Sequence, residues 1–237
     1  MDSLKRIVND IVDINLNKPE DIFINFDKEN FKEIFALIIG PKNTPYEDGY
    51  FLFKVLMPDD YPNSPPKINL LTVNSEDRLN PNLYACGKVC LSIINTWQGP
   101  KWTKNLTLKS LLLSIQSLMG EFPIRNEPGY ESCLSEDWKS ISYNDYVTFK
   151  KYKIAIIDIL KGRYEVWSYF KDIIEDDFNK KMDNHIKNLH SFNYVIDKNK
   201  LYKPPIYFIK KSFKLDYSEL ISEVESLQLC EKTENLI

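Results

Sequence analysis

Four short runs of strand-forming residues follow one another between residues 22 and 73, and this succession constrains the fold more than any other feature of the sequence. The runs cover residues 22–26, 31–39, 50–57 and 67–73. A polar turn at 27–30 separates the first two, Gly40-Pro41 ends the second, and Gly49 precedes the third. Pro65-Pro66 opens the fourth, where proline is tolerated because it lies at a strand's start and not at its centre. Connections this short fit an antiparallel meander. In the third run Phe51, Phe53, Val55 and Met57 alternate with Tyr50, Leu52, Lys54 and Leu56, so both faces are partly apolar.

Helical spacing brackets the meander. Leu4, Ile7, Val8, Ile11 and Ile14 place an amphipathic helix over 4–16, with Asp2 or Ser3 as its cap. Residues 74–106 carry turn residues and few regular signals, as a long functional loop does. Leu108, Leu111, Leu112, Ile115 and Leu118 predict a helix over 107–119, capped by Thr107. Further helices are predicted over 146–160, ending near Gly162, and over 164–189 and 217–229, with a break at Lys203-Pro204-Pro205. The order is α+β: an N-terminal helix, a four-stranded antiparallel sheet, a loop region, then helices. Residues 1–150 make one domain and 151–237 a mainly helical extension packed on it or linked to it. In that extension Trp167, Tyr169, Phe170 and Phe178 read as core or as a partner-selecting surface, which periodicity does not separate. Residues 198–211 interleave lysines with aromatics and read as a packed strand or turn.

Charge and apolar runs exclude several classes of function. A net charge of −3 argues against a general nucleic-acid binder. No apolar run approaches the roughly 20 residues that span a bilayer, and the N-terminus lacks the continuous apolar stretch of a secretory signal. A soluble intracellular protein, cytoplasmic or nuclear, is expected. Cys86, Cys90, Cys133 and Cys230 form no CxxC pair, so free thiols are expected and a metal site is not. His185 and His190 are the only histidines and both lie in the extension. A cysteine protease, which needs a base beside its thiol, therefore fits poorly.

Cys90 stands in a segment rich in Asn, Pro and Gly, Leu79-Asn80-Pro81-Asn82-Leu83-Tyr84-Ala85-Cys86-Gly87-Lys88-Val89-Cys90. A thiol in an irregular segment is more reachable than one in a strand. The competing reading is a core cysteine, because free cysteine is often buried. Taken alone, Asn82 is a turn residue bonding its own backbone. Glu127 is an exposed loop carboxylate, and Lys5 and Arg6 lie on the exposed face of the first helix.

The pattern around these residues resembles the ubiquitin-conjugating enzymes. Asn80-Pro81-Asn82, then Gly87-Lys88-Val89-Cys90-Leu91-Ser92-Ile93, is similar to that family's His-Pro-Asn, glycine loop and thioester cysteine. Gly40-Pro41 through Thr44-Pro45-Tyr46-Glu47-Asp48-Gly49, the stretch Tyr61-Pro62-Asn63-Ser64-Pro65-Pro66-Lys67, and Trp102 match further motifs in order. Asn95-Thr96-Trp97-Gln98-Gly99-Pro100, Ser114-Ile115-Gln116-Ser117-Leu118-Met119 and Asn126-Glu127-Pro128-Gly129-Tyr130-Glu131 resemble the Z-type members in particular, and Leu215-Asp216-Tyr217-Ser218-Glu219-Leu220 is similar to their C-terminal extension.

The resemblance implies a carrier that takes ubiquitin, or a ubiquitin-like modifier, from an activating enzyme as a thioester on Cys90. It then passes the modifier to a protein substrate with a ligase. The implied partners include no nucleic acid and no membrane. No cofactor is bound directly; ATP is used upstream by the activating enzyme. By the same resemblance Asn82 supports the oxyanion or holds the loop that does, and Glu127 is the acidic gate, with Glu131 the alternative. Asn80 and Pro81 shape the loop; Asn80 replaces the usual His, as it does in Z-type members. Lys5 and Arg6 face the activating enzyme, while Pro62, Asn63 and Trp102 belong to ligase-facing loops. Asn63 stands where many members carry a Phe, which weakens or changes ligase choice. The rival reading is a catalytically silent adaptor of the same fold; such relatives typically lack the cysteine that this chain has.

Overall fold

The computed structural model describes residues 3–234. Helix α1 spans Ser3–Leu16, and the meander follows as β1 (Ile22–Asp27), β2 (Asn30–Ile39), β3 (Tyr50–Leu56) and β4 (Lys67–Leu70). The sheet order is β1-β2-β3-β4, every pair antiparallel, with Ile38 opposite both Ile22 and Phe51, and Phe53 opposite Leu70. Helix α2 (Leu108–Leu118) comes next, then α3 (Trp138–Lys151), α4 (Asp158–Leu160), α5 (Lys171–Val195) and α6 (Ser218–Glu234). No described helix is long and apolar enough to cross a membrane.

Period-two patterning on both faces of the strands has a direct cause: the sheet is covered on both sides. Ile34, Ala36, Ile38, Phe51, Phe53 and Val55 join Ile7, Ile11, Leu111 and Ile115 of α1 and α2 in one core. Leu37, Ile39, Tyr50 and Leu52 face the other way and join Ile156, Phe170, Phe178, Leu189 and Leu220 in a second core. The extension is therefore the second wall of the sheet. Trp167 packs at the edge of this core, and Tyr169 lies half-exposed with its ring 5.0 Å from Phe35.

Several boundaries differ from the sequence expectation. Ser3 is the first residue of α1 and its hydroxyl has no hydrogen-bond partner among the described residues, so it is not a cap; Asp2 lies outside them. Strand β4 ends at Leu70 and not at residue 73, because the Thr72 hydroxyl takes over the ladder. It accepts from the Leu52 N–H at 2.8 Å and donates to the Tyr50 carbonyl at 3.2 Å. Helix α3 begins eight residues before the predicted 146, capped by Asp137, whose carboxylate accepts from the Lys139 N–H at 2.8 Å. Its first turns carry Ser140, Ser142 and Asn144, which hide the helical period. A π-helical segment, Tyr152–Ile157, continues α3 directly into α4. The expected boundary at 150/151 thus falls inside continuous helix. Helix α5 runs on to Val195, past the predicted 189, after a 3₁₀ segment over Glu165–Phe170. Thr107 caps α2 as expected, in a reciprocal capping box with Ser110.

Candidate active site

Residues 82–90 form a tight hairpin docked on the end of the sheet. Leu83 bridges Val89, the Tyr84 N–H donates to the Lys88 carbonyl at 2.9 Å, and Asn69 bridges Lys88. The turn needs glycine at 87. Its φ is +86°, and a Cβ there would stand 2.5 Å from the Leu70 carbonyl oxygen, while the Gly87 carbonyl accepts from the Leu70 N–H at 2.8 Å.

Cys90 sits on the return leg of this hairpin. The Cys90 N–H donates to the Asn82 carbonyl at 2.9 Å, and Asn82 Nδ2 donates back to the Cys90 carbonyl at 2.8 Å. Asn82 therefore clamps the two legs together at the thiol. Asn80 is fully buried and satisfied: its Oδ1 accepts from the Asn82 N–H at 2.8 Å, while Nδ2 donates to the Tyr46 hydroxyl at 2.9 Å and the Leu118 carbonyl at 2.8 Å. Tyr46 in turn donates to the Leu79 carbonyl at 2.7 Å, and burial holds its phenol well above the ordinary range. Asn80 thus ties the loop to α2 and to the β2–β3 turn, which is loop shaping by direct contact. Pro81 is buried beside it.

The expectation that Cys90 is readily reached does not hold. The residue is 1% exposed, because the hairpin is paired along its length and the chain beyond it folds back. There Thr96 Oγ1 accepts from the Leu91 N–H at 2.9 Å and donates to the Val89 carbonyl at 3.0 Å. Cys86, by contrast, is exposed at the turn.

An open groove of about 640 Å³ lies along the segment after Cys90, lined by Thr96, Trp97, Lys101, Pro128 and Glu131 among others. Glu131, not Glu127, contributes to its wall, and one Glu131 carboxylate oxygen accepts from the Gly129 N–H at 2.8 Å. Glu127 ends the 3₁₀ turn Pro123–Asn126 with a half-buried side chain whose charge reaches the buried Tyr143 phenol.

The partner-facing candidates divide. Lys5 and Asn63 are exposed and Pro62 is half-exposed. Arg6 is not on a free face. Its Nε donates to the buried Asp10 carboxylate at 2.8 Å, and its two terminal nitrogens donate to the Lys104 and Leu106 carbonyls at 3.0 and 2.8 Å. Asp10 also accepts from the Tyr61 hydroxyl and, at 3.0 Å, from the Leu108 N–H. A buried carboxylate needs such partners, and Arg6 is consumed in supplying one. Trp102 is likewise 9% exposed, its Nε1 donating to the Pro62 carbonyl at 2.8 Å. It fixes the two loops against each other; it does not present a free aromatic face.

One element of the site escaped the sequence reading. The Arg78 guanidinium lies between two rings, its carbon 3.5 Å from the centre of Tyr84 on the hairpin and 4.4 Å from that of Phe208 in the extension. Arg78 also donates to the Asn80 and Pro81 carbonyls. Partners separated by more than a hundred residues leave no periodic signal.

A helix, a four-stranded meander and a clamped hairpin bearing a buried thiol make up an α+β domain whose only histidines, His185 and His190, lie in the extension. A sequence model of the ubiquitin-conjugating enzymes matches residues 6–156, and the chain belongs to that family. Ubiquitin-conjugating enzyme E2 Z of Xenopus tropicalis is 36% identical over 223 residues, which cover 94% of this chain and 70% of that protein. The human protein of the same name is 41% identical over 176 residues, 74% of this chain and 49% of that protein. A probable ubiquitin-conjugating enzyme of Acanthamoeba polyphaga mimivirus is 34% identical over 241 residues, 95% of this chain and 16% of that much longer protein. This chain spans about half the length of the human relative.

Proposed function

We propose that Cys90 carries ubiquitin, or a ubiquitin-like modifier, as a thioester, and that the chain passes it to an amine of a protein substrate with the help of a ligase. The Cys90 thiolate attacks the thioester carbonyl held by the activating enzyme. A new carbon–sulfur bond forms at Cys90, the old one breaks, and the activating enzyme's sulfur leaves as a thiolate. In the second step an amine attacks the Cys90 thioester through an oxyanion, loses a proton, and the Cys90 thiolate departs. ATP is spent upstream by the activating enzyme, in the cytoplasm or nucleus.

The observation that carries this reading is the reciprocal pairing of Asn82 with Cys90. It holds the backbone on either side of the thiol fixed while negative charge develops on the oxygen of the attacked carbonyl, so that the sulfur keeps its position through the reaction. An acidic gate that orients the incoming ammonium is assigned to Glu127 or, on the wall of the groove that follows Cys90 in the chain, to Glu131. Lys5 and Asn63 remain the exposed candidates for the activating enzyme and the ligase.

The test is incubation with activating enzyme, ATP and ubiquitin, followed by non-reducing gels of wild type and Cys90→Ser. A thiol-sensitive band in wild type, lost or converted to a thiol-resistant ester in Cys90→Ser, is the expected result. No band with ubiquitin or any related modifier across several activating enzymes would overturn the reading.

A further inference from the structure

Residues 198–214 hold six lysines and no acidic residue, in a chain whose net charge is −3. The structure folds the middle of this stretch into a loop closed at its base. Tyr202 and Phe213 exchange backbone hydrogen bonds at 2.9 and 3.2 Å, and their rings stack inward at 5.5 Å. In such a pair neighbouring side chains point the opposite way, so Leu201, Lys203 and Lys214 face outward, and all three are exposed. Ile206 and Ile209 anchor the loop in the first core. Lys210, Lys211 and Tyr207 stay outside, Tyr207 at 67% exposure.

Charges on this loop are unneutralised. Lys198 and Lys200 sit near Asp216 and Asp145, but Lys203, Lys210, Lys211 and Lys214 make no ion pair among the described residues. The loop is also joined to the thiol's hairpin. Phe208 packs on Arg78, Arg78 packs on Tyr84, and the exposed Lys88 lies 5.6 Å from the Tyr84 ring centre, two residues before Cys90. Cationic side chains thus stand on the loop, at Arg78 beneath it and at Lys88 on the flank of the hairpin.

We propose that this surface binds an acidic segment of the acceptor protein and so selects substrates whose target lysine lies near Asp or Glu. The proposal rests on Cys90 being the loaded residue. The acceptor is the partner that must bring an amine to Cys90, and the flank of the Cys90 hairpin is where the acceptor's neighbouring residues register. Several like charges that are not internally paired attract an acidic chain over a distance set by ionic strength. The exposed Tyr207 adds an amphipathic ring of the kind enriched at protein interfaces.

The experiment compares wild type with the quadruple variant Lys203→Gln, Lys210→Gln, Lys211→Gln, Lys214→Gln. Both are charged first, and single-turnover discharge is followed to two peptides with the same acceptor lysine, one flanked by Glu and Asp and one by Ser and Gly. Wild type at low salt is expected to discharge to the acidic peptide roughly tenfold faster, a preference that salt and the variant both abolish, while discharge to free lysine is equal in the two proteins. Fluorescence anisotropy of the uncharged proteins, with the acidic peptide carrying Arg in place of the acceptor lysine, should show the same difference in binding. The proposal is overturned if wild type has no preference, if the preference survives in the variant or resists salt, or if phosphatidylserine vesicles or a single-stranded RNA oligonucleotide bind wild type more tightly than the peptide. Failure of both proteins to charge counts against the Cys90 thioester instead, and anisotropy then decides the surface by itself.

Discussion

Asn82 and Cys90 are bonded to each other twice, once through the Cys90 N–H and the Asn82 carbonyl at 2.9 Å and once through Asn82 Nδ2 and the Cys90 carbonyl at 2.8 Å. The amide thus acts on the cysteine's backbone, and its effect on chemistry passes through the position of the hairpin. Asn82→Ala leaves the Cys90 carbonyl without that donor, a loss of about 1–3 kcal/mol for a buried group. Discharge of the loaded enzyme to free lysine is expected to fall roughly tenfold, the equivalent of about 1.4 kcal/mol of lost positioning, while loading by the activating enzyme continues. Single-turnover loading and discharge measured on the same preparation separate the two. Equal losses in both steps would show that Asn82 only holds the fold.

Burial orders the thiols. Cys86 is exposed, Cys133 is intermediate and Cys90 is 1% exposed. Brief treatment of the free protein with iodoacetamide, read by peptide mass spectrometry, is expected to label Cys86 first among these three described thiols, with Cys90 slower by roughly an order of magnitude because labelling waits for local opening. Labelling of Cys90 at the rate of Cys86 would mean that the hairpin opens freely in solution.

Much of this fold is legible in the sequence because each signal is local. The meander is written in alternation and in the punctuation by Gly40-Pro41, Gly49 and Pro65-Pro66, and α2 in the leucines beginning at Leu108 with Thr107 before them. Apolar residues on both faces of β3 announce that both faces are covered, though not by what. The site's residues are legible from their order along the hairpin, but their working contacts are not. Arg6 reads as a surface cation until Asp10 and the Lys104 and Leu106 carbonyls, about a hundred residues away, are brought to it. Glu127 and Glu131 differ by one turn of loop, which spacing cannot resolve. The start of α3 is hidden because Ser140, Ser142 and Asn144 break the apolar period.

Arg6 and Lys5 are adjacent in sequence but predict different defects. Lys5→Ala removes an exposed charge, so stability is expected to change by no more than about 0.5 kcal/mol. Arg6→Ala strips the buried Asp10 of its cation and frees the segment after Trp102, a loss of about 3 kcal/mol or more for an uncompensated buried charge. Urea denaturation of the two variants checks this. Equal midpoints would show that Arg6 is dispensable to the fold.

Phe208→Ala tests whether the extension steadies the hairpin. It removes one face of the Arg78 sandwich and a half-buried ring, at a cost of about 0.5–2 kcal/mol for the cation–ring contact alone. Hydrogen exchange at the amides of Tyr84, Gly87 and Cys90 is expected to speed up, with the second core around Phe178 unchanged. Unaltered exchange in the hairpin would show that Phe208 merely fills space.

His185 gives the fold a pH dependence of calculable sign. It is 2% exposed on α5, stacked on Phe178 with ring centres 5.4 Å apart, and its Nε2 has no hydrogen-bond partner among the described residues. Desolvation, and after it the positive charge of Lys151, lowers its pKa to about 4; Lys181 adds to this, while Asp48 and Asp177 oppose it. Lys151 is itself buried against the Glu47 carbonyl at 2.8 Å and pushed down to about 8. The unfolded chain holds its histidine near 6.5, so below that pH the unfolded state binds a proton the folded state refuses. Stability from this residue is therefore complete above about pH 6.5 and drains away as pH falls toward 4, by at most roughly 3 kcal/mol. His185→Phe keeps a ring between Phe178 and Tyr152 and cannot titrate. Denaturation midpoints for wild type and His185→Phe, measured from pH 7 down to pH 4, are expected to diverge, with the wild type falling more steeply. Parallel curves would mean that His185 takes up its proton in the folded state without cost, through water reaching Nε2.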